Sequence, residues 1–483
     1  MGKNNKRLFK RGEELELSIK DMAFGGVGIA EVTTETGQFK IFVQNTIPEQ
    51  VVKAKVVKSK RRHAECKLME VLKKSPLEVE HSYQPIPGAP YASLPIEEQH
   101  RFKKETTIEL FKRIGEVDNI DKLLEEFIPS PKSWHYRNKM EYSFSSIEYD
   151  LGLKQEVDDS FALGFKHRGT WWAVENLAAD SGLFDEELEG KLHLLKDHLK
   201  ATGLPAWHPP KREGFFRFFV VRKSLVDDGL LMNLVTTSDP ENQFDVPAFI
   251  QKVKELWGDR VKGILHSIND DQGERVQATE GRSQLIFGSP TITENINGLD
   301  FSISMESFFQ TNPESAQRLY NKTISYVGEL DTNSGVIMDL FCGTGTITQL
   351  LAQKSEQKVI GVDIVKQAIE DAKVNAERNG VDNIQFYAAD VGKFLFEFPE
   401  YQGKISTIVM DPPRGGIAPK TLRKVIRLEA PRIVYVSCNP ATLARDTATL
   451  MENGYQMKKW SMVDQFPHTS HVECIALFEK WVS

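Results

Sequence analysis

The last third of the chain, from about residue 301, alternates short apolar runs with helical patterns, and this alternation constrains the fold more than any other feature of the sequence. The runs cover residues 336–341, 358–363, 384–390, 406–413 and 432–438, and the last three carry a polar or reactive residue at their C-terminal ends. Alternating β and α elements predict an α/β fold with an open parallel sheet, which binds ligands at the carboxyl ends of its strands. The final runs, 456–464 and 471–481, predict an antiparallel hairpin at the sheet edge.

The turn after the first of these strands is rich in glycine and points to a nucleoside cofactor. Its sequence, Gly343-Thr344-Gly345, lacks the third glycine of the dinucleotide fingerprint, so on its own it is also typical of any tight strand–helix turn. Asp363 ends the second strand, where a carboxylate can accept hydrogen bonds from both ribose hydroxyls, and Asp390 at the end of the third can bind an adenine amino group. Because one short loop without a P-loop lysine suits a cofactor that has no pyrophosphate, these residues favour S-adenosylmethionine over NAD.

Cys438 and Glu473 are the most unusual residues of this part. Cys438 ends a strand and precedes a helix whose first turn suits Pro440, so we expect the helix N-terminus to favour its thiolate. A strand-end cysteine is more often a small buried apolar residue. Here, however, the chain also holds the rigid turn 411–416 (DPPRGG), whose strand-end Asp411 can face a planar substrate. Glu473 stands in an otherwise apolar strand, where a carboxylate is either paired structurally or desolvated, with a raised pKa, for work as a base.

Residues 1–75 combine an all-β pattern with a basic balance of 16 Lys and Arg against 9 Asp and Glu. Short alternating runs and a Gly-rich turn predict a small OB-like β-barrel, a fold that commonly binds oligonucleotides. Residues 53–63 place six cations in eleven positions. Such a run is as often a solvated face as a footprint for nucleic-acid phosphate, but a basic small barrel makes RNA the leading partner.

The stretch 76–300 predicts an α+β region. It opens with a Pro-rich segment, continues with a helical run over 96–114 that stops at Gly115, and then mixes strand-like and helical runs. Its aromatic pairs, at 171–172 and 215–216, favour a place in the core over a role as base-stacking platforms.

Length and composition exclude several classes of protein. A chain of 483 residues predicts about three domains. It has no low-complexity tract, no apolar run near the ~18 residues of a membrane span, and no apolar core of a signal peptide. Four scattered cysteines cannot form a disulfide framework, so we expect a reducing, cytoplasmic location and no membrane partner.

Five motifs, in the order found here, resemble the RNA (uracil-5-)-methyltransferase family, and in particular its 23S ribosomal RNA branch. They are SFFQTN (307–312), DLFCGTGT (339–346), DPPRGG (411–416), VSCNPATLARD (436–446) and DQFPHTSHVE (464–473). YRNKMEY (136–142) is similar to a central-domain motif of the family, and the basic barrel is similar to its TRAM domain. The resemblance implies a TRAM-like RNA-binding barrel over 1–75, a central RNA-recognition domain over 76–300, and a class I (Rossmann-like) methyltransferase domain over 301–483.

The resemblance also implies roles for individual residues. Cys438 would be the nucleophile that adds to C6 of the target uridine, and Glu473 the base that removes the C5 proton to give 5-methyluridine. The residues implied to line the S-adenosylmethionine and uracil pocket are Gln310, Phe341, Thr346, Asp363, Asp390 and Asp411. Arg137 is a candidate RNA contact, although a structural ion pair explains it equally well. The family resemblance favours a monomer.

One stretch departs from the family pattern. Many members of the ribosomal branch carry a Cys-x5-Cys-Gly-Gly-Cys motif after the barrel, with a further cysteine later, that binds a [4Fe–4S] centre. Here residues 80–99 read EHSYQPIPGAPYASLPIEEQ and contain no cysteine, and Cys66 is the only thiol in the first 341 residues. Because one thiol cannot hold a cluster, we predict no iron–sulfur centre and no other metal.

Three other functions stay open. The same chemistry could act on the T-loop of transfer RNA, although that branch generally lacks the basic barrel. A catalytically inactive RNA-binding ribosome-assembly factor would keep the fold, but both reactive motifs are intact. A small-molecule methyltransferase would leave the basic barrel without a role.

Overall fold

The computed structural model describes residues 8–34, 37–239, 243–277, 281–328, 335–401 and 403–481. These residues form four sheets, of six, nine, two and eight strands. No helix among them is long and apolar enough to cross a membrane.

The first sheet is the small all-β unit expected at the N-terminus. Its strands are β1 (Glu14–Ser18), β2 (Asp21–Ala23), β3 (Val27–Thr34), β4 (Gly37–Gln44), β5 (Val51–Ser59) and β6 (His63–Lys73), in the order β1-β5-β6-β4-β3-β2. Alternate residues of β4 and β5 enter its own apolar core, as the period of two requires. The basic run is partly neutralised within the sheet. Lys53 pairs with Glu14 at 2.7 Å, and Lys58 and Lys60 lie 3.6 and 3.8 Å from Glu65.

The middle of the chain begins with two helices and a strand and then builds the nine-stranded sheet. These elements are α1 (Ile96–Ile114), α2 (Ile120–Leu123), β7 (Leu124–Ile128), β8 (Lys139–Ser145), β9 (Glu148–Asp150), β10 (Gln155–Val157), β11 (Ala162–Lys166), β12 (Val174–Asn176), α3 (Glu186–Ala201), β13 (Phe216–Lys223), β14 (Leu230–Thr236), α4 (Val246–Trp257), a 3-10 turn (Gly258–Arg260), β15 (Val261–Ile268) and β16 (Arg282–Gly288). The strand order is β10-β9-β12-β11-β8-β13-β14-β15-β16. Phe215 and Phe216 are buried, as expected, whereas Trp171 is 50% exposed and does not belong to the core.

The last part opens with the two-stranded sheet, β17 (Thr291–Ile296) and β18 (Leu299–Ser304), and continues as a parallel α/β sheet. Its elements are α5 (Pro313–Val327), β19 (Val336–Leu340), α6 (Thr346–Lys354), β20 (Val359–Asp363), α7 (Lys366–Arg378), β21 (Ile384–Ala388), α8 (Val391–Glu397), a 3-10 turn (Pro399–Tyr401), β22 (Ile405–Met410), α9 (Pro419–Ile426), β23 (Arg432–Ser437), α10 (Pro440–Glu452), β24 (Tyr455–Val463) and β25 (Glu473–Lys480). The strand order is β21-β20-β19-β22-β23-β25-β24-β7. The chain adds strands first on one side of β19 and then on the other, and this switch places a ligand crevice at the carboxyl ends of the strands.

The sheet edge differs from the sequence expectation. β24 is not an edge strand, because β7 pairs with it in parallel and covers its outer side. Phe111 of α1 and Ile120 of α2 lie in the same apolar core as the parallel strands. Trp460 Nε1 also donates to the Ile120 carbonyl at 2.8 Å. Residues 96–128 therefore pack on the last sheet although they precede it by 200 residues, and the expected boundary at 300 does not separate them from it.

Candidate active site

One cavity of about 1400 Å³ opens at the carboxyl ends of the parallel strands. All nine residues selected from the sequence line it: Arg137, Gln310, Phe341, Thr346, Asp363, Asp390, Asp411, Cys438 and Glu473. They come from the ends of six strands and from two earlier loops, so the fold alone brings them together.

Cys438 and Glu473 lie side by side because of the sheet register. β23 and β25 are antiparallel neighbours, and their last pair is Ser437 with Cys474. The next residue on each strand is Cys438 and Glu473, so both emerge at the same end of the sheet. Glu473 is only 3% exposed, whereas Cys438 is partly exposed to the cavity.

The loop that carries Cys438 is held by local hydrogen bonds. Asn439 caps α10 by accepting from the Ala441 amide at 3.1 Å, and its own amide donates to Ser437 Oγ at 3.2 Å. Asn439 Nδ2 also donates to the Arg414 carbonyl at 3.0 Å. This last bond ties the cysteine loop to the 411–416 turn, so the two motifs form one wall of the cavity.

The thiol of Cys438 does not ionise easily in the free protein, contrary to the expectation from its helix. Burial, followed by the charges of Glu473 and Asp411, raises the pKa of Cys438 to about 11, and Arg414 opposes the shift only partly. The N-terminus of α10 therefore does not outweigh burial, and the thiol is protonated at neutral pH in the free protein.

Two carboxylic acids beside the thiol are poised near neutral pH. Burial and the charge of Asp411 raise the pKa of Glu473 to about 8, while Arg414 opposes. Burial also raises the pKa of Asp411 to about 7. Carboxyl groups with such values can exchange protons near physiological pH, which is what general acid–base work requires.

The other end of the cavity has the features of a nucleoside site. Asp363 Oδ2 accepts from the Gly343 amide at 3.0 Å and Oδ1 from the Val365 amide at 2.9 Å, which fixes the carboxylate against the glycine turn. Gly345 has φ of +76°, and a Cβ there would lie 2.7 Å from the Phe386 ring, so a side chain does not fit. Phe341, just before the glycine turn, also has a left-handed backbone conformation, with φ of +66°.

Three more predicted residues surround this end. Thr346 begins α6 and Gln310 hydrogen bonds to the buried Tyr320 hydroxyl. Asp390 is exposed at the rim and caps α8, because its Oδ1 accepts from the Lys393 amide at 3.0 Å. The Asp339 carboxylate accepts from Thr348 Oγ1 at 2.6 Å and holds α6 rather than the turn backbone.

Arg137 lines the opposite side of the cavity, and its Nε donates to the Lys139 carbonyl at 3.2 Å. Three further lining residues were not identified from the sequence: Phe308, Ile364 and Tyr320. Phe308 and Ile364 are 71% and 67% exposed, which is unusual for large apolar side chains and suits contact with flat rings. The signal available was their position, within the SFFQTN motif and directly after Asp363.

The residues that line the cavity are suited to bind S-adenosylmethionine. The carboxylate of Asp363 beside a glycine turn can hold ribose hydroxyls, and the exposed Ile364 next to it offers an apolar face for adenine. The fold and site together define a class I methyltransferase.

Comparison with known proteins identifies the family. The sequence model of the tRNA (uracil-5-)-methyltransferases matches residues 249–481. An RNA methyltransferase of Clostridium tetani, described as uncharacterized, is 35% identical over 96% of this chain and 97% of its own. One of Clostridium acetobutylicum is 34% identical over 98% and 99%. The crystal structure of Pyrococcus abyssi tRNA (uracil-54, C5)-methyltransferase in complex with S-adenosyl-L-homocysteine superposes with a TM-score of 0.69 at 26% identity, over 96% of this chain and all of that one. The chain belongs to the S-adenosylmethionine-dependent RNA (uracil-5-)-methyltransferase family.

Proposed function

We propose that this protein methylates C5 of a uridine in 23S ribosomal RNA and forms 5-methyluridine through a covalent adduct between Cys438 and C6. The observation that carries the proposal is the position of Cys438 and Glu473 at the ends of paired strands in one cavity. S-adenosylmethionine supplies an electrophilic methyl group when bound.

The residues of the chain account for the other half of the chemistry. Uracil C5 is a weak nucleophile until the Cys438 sulfur adds to C6, which places the ring electrons on C5 and O4. After C5 is methylated, Glu473 removes the C5 proton, the C6–S bond breaks, and the thiolate leaves. Asp411 lies beside both residues, and its carboxylate form can receive the thiol proton. We assign cofactor binding to Gln310, Phe341, Thr346, Asp363 and Asp390, with Asp411 at the boundary to the uracil.

Recognition of RNA is assigned to the rest of the chain. In this proposal residues 1–75 and 76–300 bind RNA, and residues 301–483 carry out the reaction. Within 76–300, the segment 96–128 packs on the last sheet and supports the reaction domain. C5 of a uracil is inaccessible within a stacked helix, so the target uridine must be unpaired or flipped out of its helix. Arg137 faces the cavity from the central part and is the candidate for contact with the flipped nucleotide or its phosphate.

A second candidate substrate is transfer RNA. The Pyrococcus abyssi enzyme, named for tRNA uracil-54, matches 96% of this chain, so possession of the N-terminal sheet does not exclude a transfer RNA substrate. Ribosomal RNA stays the first candidate because the five motifs resemble that branch and the N-terminal unit is basic. An inactive assembly factor is disfavoured, since it has no need for a thiol and a carboxylic acid to share one cavity.

The direct test compares wild-type protein with Cys438→Ala on unmodified 23S and transfer RNA transcripts, with 5-methyluridine mapped by mass spectrometry. We expect the wild type to modify 23S RNA and the variant to modify neither. Modification of transfer RNA alone would establish the second candidate, and retained turnover in the variant would reject the cysteine mechanism.

The prediction of no iron–sulfur centre has its own measurement. In residues 80–95, Ile86, Ala89 and Ala92 enter the central core, and Gln84 Nε2 donates to the Asn176 carbonyl at 2.7 Å. We expect far less than one equivalent of bound iron in anaerobically purified protein. Four iron atoms per chain would contradict the prediction.

A further inference from the structure

The loop between β24 and β25, residues 464–472, is held by side chains from the first third of the chain. Phe466, Thr469 and His471 of this loop line the active-site cavity, and the loop ends at Glu473. A short loop of this kind would normally be held by its own turn contacts. Here the main restraints come from α1 and from the segment before it, about 370 residues away along the chain.

The strongest restraint is a buried ion pair. Lys103 Nζ, on α1, lies 2.7 Å from Asp464 Oδ1, and the side chains are 2% and 0% exposed. Lys103 also donates to the Phe466 carbonyl at 3.0 Å, and His100 Nε2 lies 3.0 Å from Asp464 Oδ2. Both carboxylate oxygens and two ammonium protons of the pair are therefore used, and one of those protons is directed at the loop backbone.

Neighbouring groups form further hydrogen bonds with the loop. The His468 amide donates to Gln99 Oε1 at 2.7 Å, and the Tyr91 amide donates to the His468 carbonyl at 3.0 Å. The Tyr136 hydroxyl donates to the Pro467 carbonyl at 3.0 Å. At the start of the loop, Ser315 Oγ donates to the Asp464 carbonyl at 3.0 Å. Three consecutive backbone carbonyls, at 466, 467 and 468, are thus fixed by partners outside the loop.

A buried ion pair is by itself a weak source of folding stability. Burying two charges costs so much hydration that well-packed apolar residues in their place are often neutral or stabilising. An ion pair instead fixes the relative orientation of the groups that it joins, because a charged hydrogen bond is strong only in a narrow range of geometries. The orientation matters at this place, since a small displacement of a proton acceptor can cost orders of magnitude in rate.

We propose that Lys103 and Asp464 are positioning residues that hold the 464–472 loop, and with it the carboxyl group of Glu473, towards C5 of the bound uridine. This inference rests on the proposed function. It makes α1 a working part of the active site, although none of its residues lines the described cavity. Loss of the pair leaves the Cys438 sulfur in place and disturbs the later proton-removal step.

The test uses Lys103→Met, the double variant Lys103→Met with Asp464→Leu, and a control on the same helix. Lys103→Met alone removes the ammonium partner of the buried Asp464 and leaves it only the His100 contact, so we expect a clear loss of thermal stability. The double variant removes both charges and is expected to recover most of it. The matched control is Arg101→Gln, because Arg101 is 44% exposed and its ion pairs with Glu98 and Glu105 lie at the surface.

The readouts are kcat, KM for RNA, and the fraction of enzyme covalently bound to RNA at steady state. In the double variant we expect kcat to fall tenfold or more, KM to stay within threefold, and the adduct fraction to rise, because addition continues while elimination slows. Wild-type kcat in the double variant, or a fall in kcat with no rise in adduct, would overturn the positioning role. If the wild-type protein itself gives neither adduct nor methylation, the proposed function fails instead, and the two failures are distinguishable.

Discussion

At the scale of the residue, three neighbouring groups have pKa values that depart from those of free side chains. The pKa is raised to about 11 for Cys438, about 8 for Glu473 and about 7 for Asp411, mainly by burial. All three shifts favour the protonated, uncharged form. A buried site of this kind keeps its base weakly ionised until a substrate arrives, but the base is stronger once it has ionised.

This arrangement predicts that the elimination step, which releases 5-methyluridine from the adduct, accelerates with pH. In the proposed mechanism the active form of Glu473 is deprotonated, and its raised pKa means that only about a tenth is ionised one pH unit below that value. We expect the single-turnover rate of 5-methyluridine release to rise by up to tenfold per pH unit from pH 6 towards pH 8. The measurement is a pH–rate profile with saturating RNA and cofactor; a flat profile over this range would contradict the assigned base.

Sequence patterns were informative about these residues but not about their ionisation. Cys438 and Glu473 stand out because a thiol ends a strand and a carboxylate begins one. The resting protonation of Cys438 depends on burial and on the charge of Glu473, which the register of β23 and β25 places beside it. That of Glu473 depends on burial and on the charge of Asp411. The exposed apolar residues Phe308 and Ile364 were missed for a related reason, since hydrophobic side chains in a motif suggest a core until the fold shows them facing a cavity.

At the scale of the element, local pattern predicted strands and helices but not every partner. Alternating apolar runs are a property of a segment, and the runs expected for β19 to β25 agree with the observed bounds to within three residues. The pairing of β7 with β24 depends on residues more than 300 positions apart. No local signal distinguishes a strand that closes a distant sheet edge from one that belongs to its neighbours.

The packing of α1 gives a stability prediction at this scale. Phe111 is fully buried in the core of the catalytic sheet, so Phe111→Ala should cost about 3–5 kcal/mol of unfolding free energy. Ile114, on the same helix, is 44% exposed, and Ile114→Ala should change the unfolding free energy by well under 1 kcal/mol. Chemical denaturation monitored by tryptophan fluorescence checks both. Equal effects would contradict the placement of α1 on this core.

The N-terminal sheet gives a prediction about RNA affinity. Lys53 is already paired with Glu14 at 2.7 Å, whereas Arg61 and Arg62 are exposed in the turn between β5 and β6. We expect Arg61→Ala with Arg62→Ala to weaken RNA binding and to lower the slope of log K against log salt by about 1–2, because fewer counterions are released. Lys53→Ala should have the smaller effect. The comparison is made by titration at several salt concentrations, and a larger effect of Lys53→Ala would contradict it.

At the scale of the whole molecule, the parts meet at the active site rather than forming a linear series. The Gly26 turn of the N-terminal sheet lies so close to Ser470 that a Cβ at Gly26 would be 3.0 Å from its side chain. Arg137 of the central part and Glu473 of the last sheet line one cavity. The class of fold and the nine candidate residues that line the cavity could be chosen from motifs and strand ends, but this convergence could not, because it depends on how three sheets pack.

The measurement that tests the central claim most directly is the trapping of the RNA adduct by Glu473→Gln. Incubated with unmodified RNA and S-adenosylmethionine, this variant should accumulate a covalent complex that survives denaturation, with RNA attached at Cys438 and the methyl group already on C5. Elimination stalls because the amide cannot take the proton. A variant that turns over at the wild-type rate, or an adduct attached at any residue other than Cys438, would contradict the account.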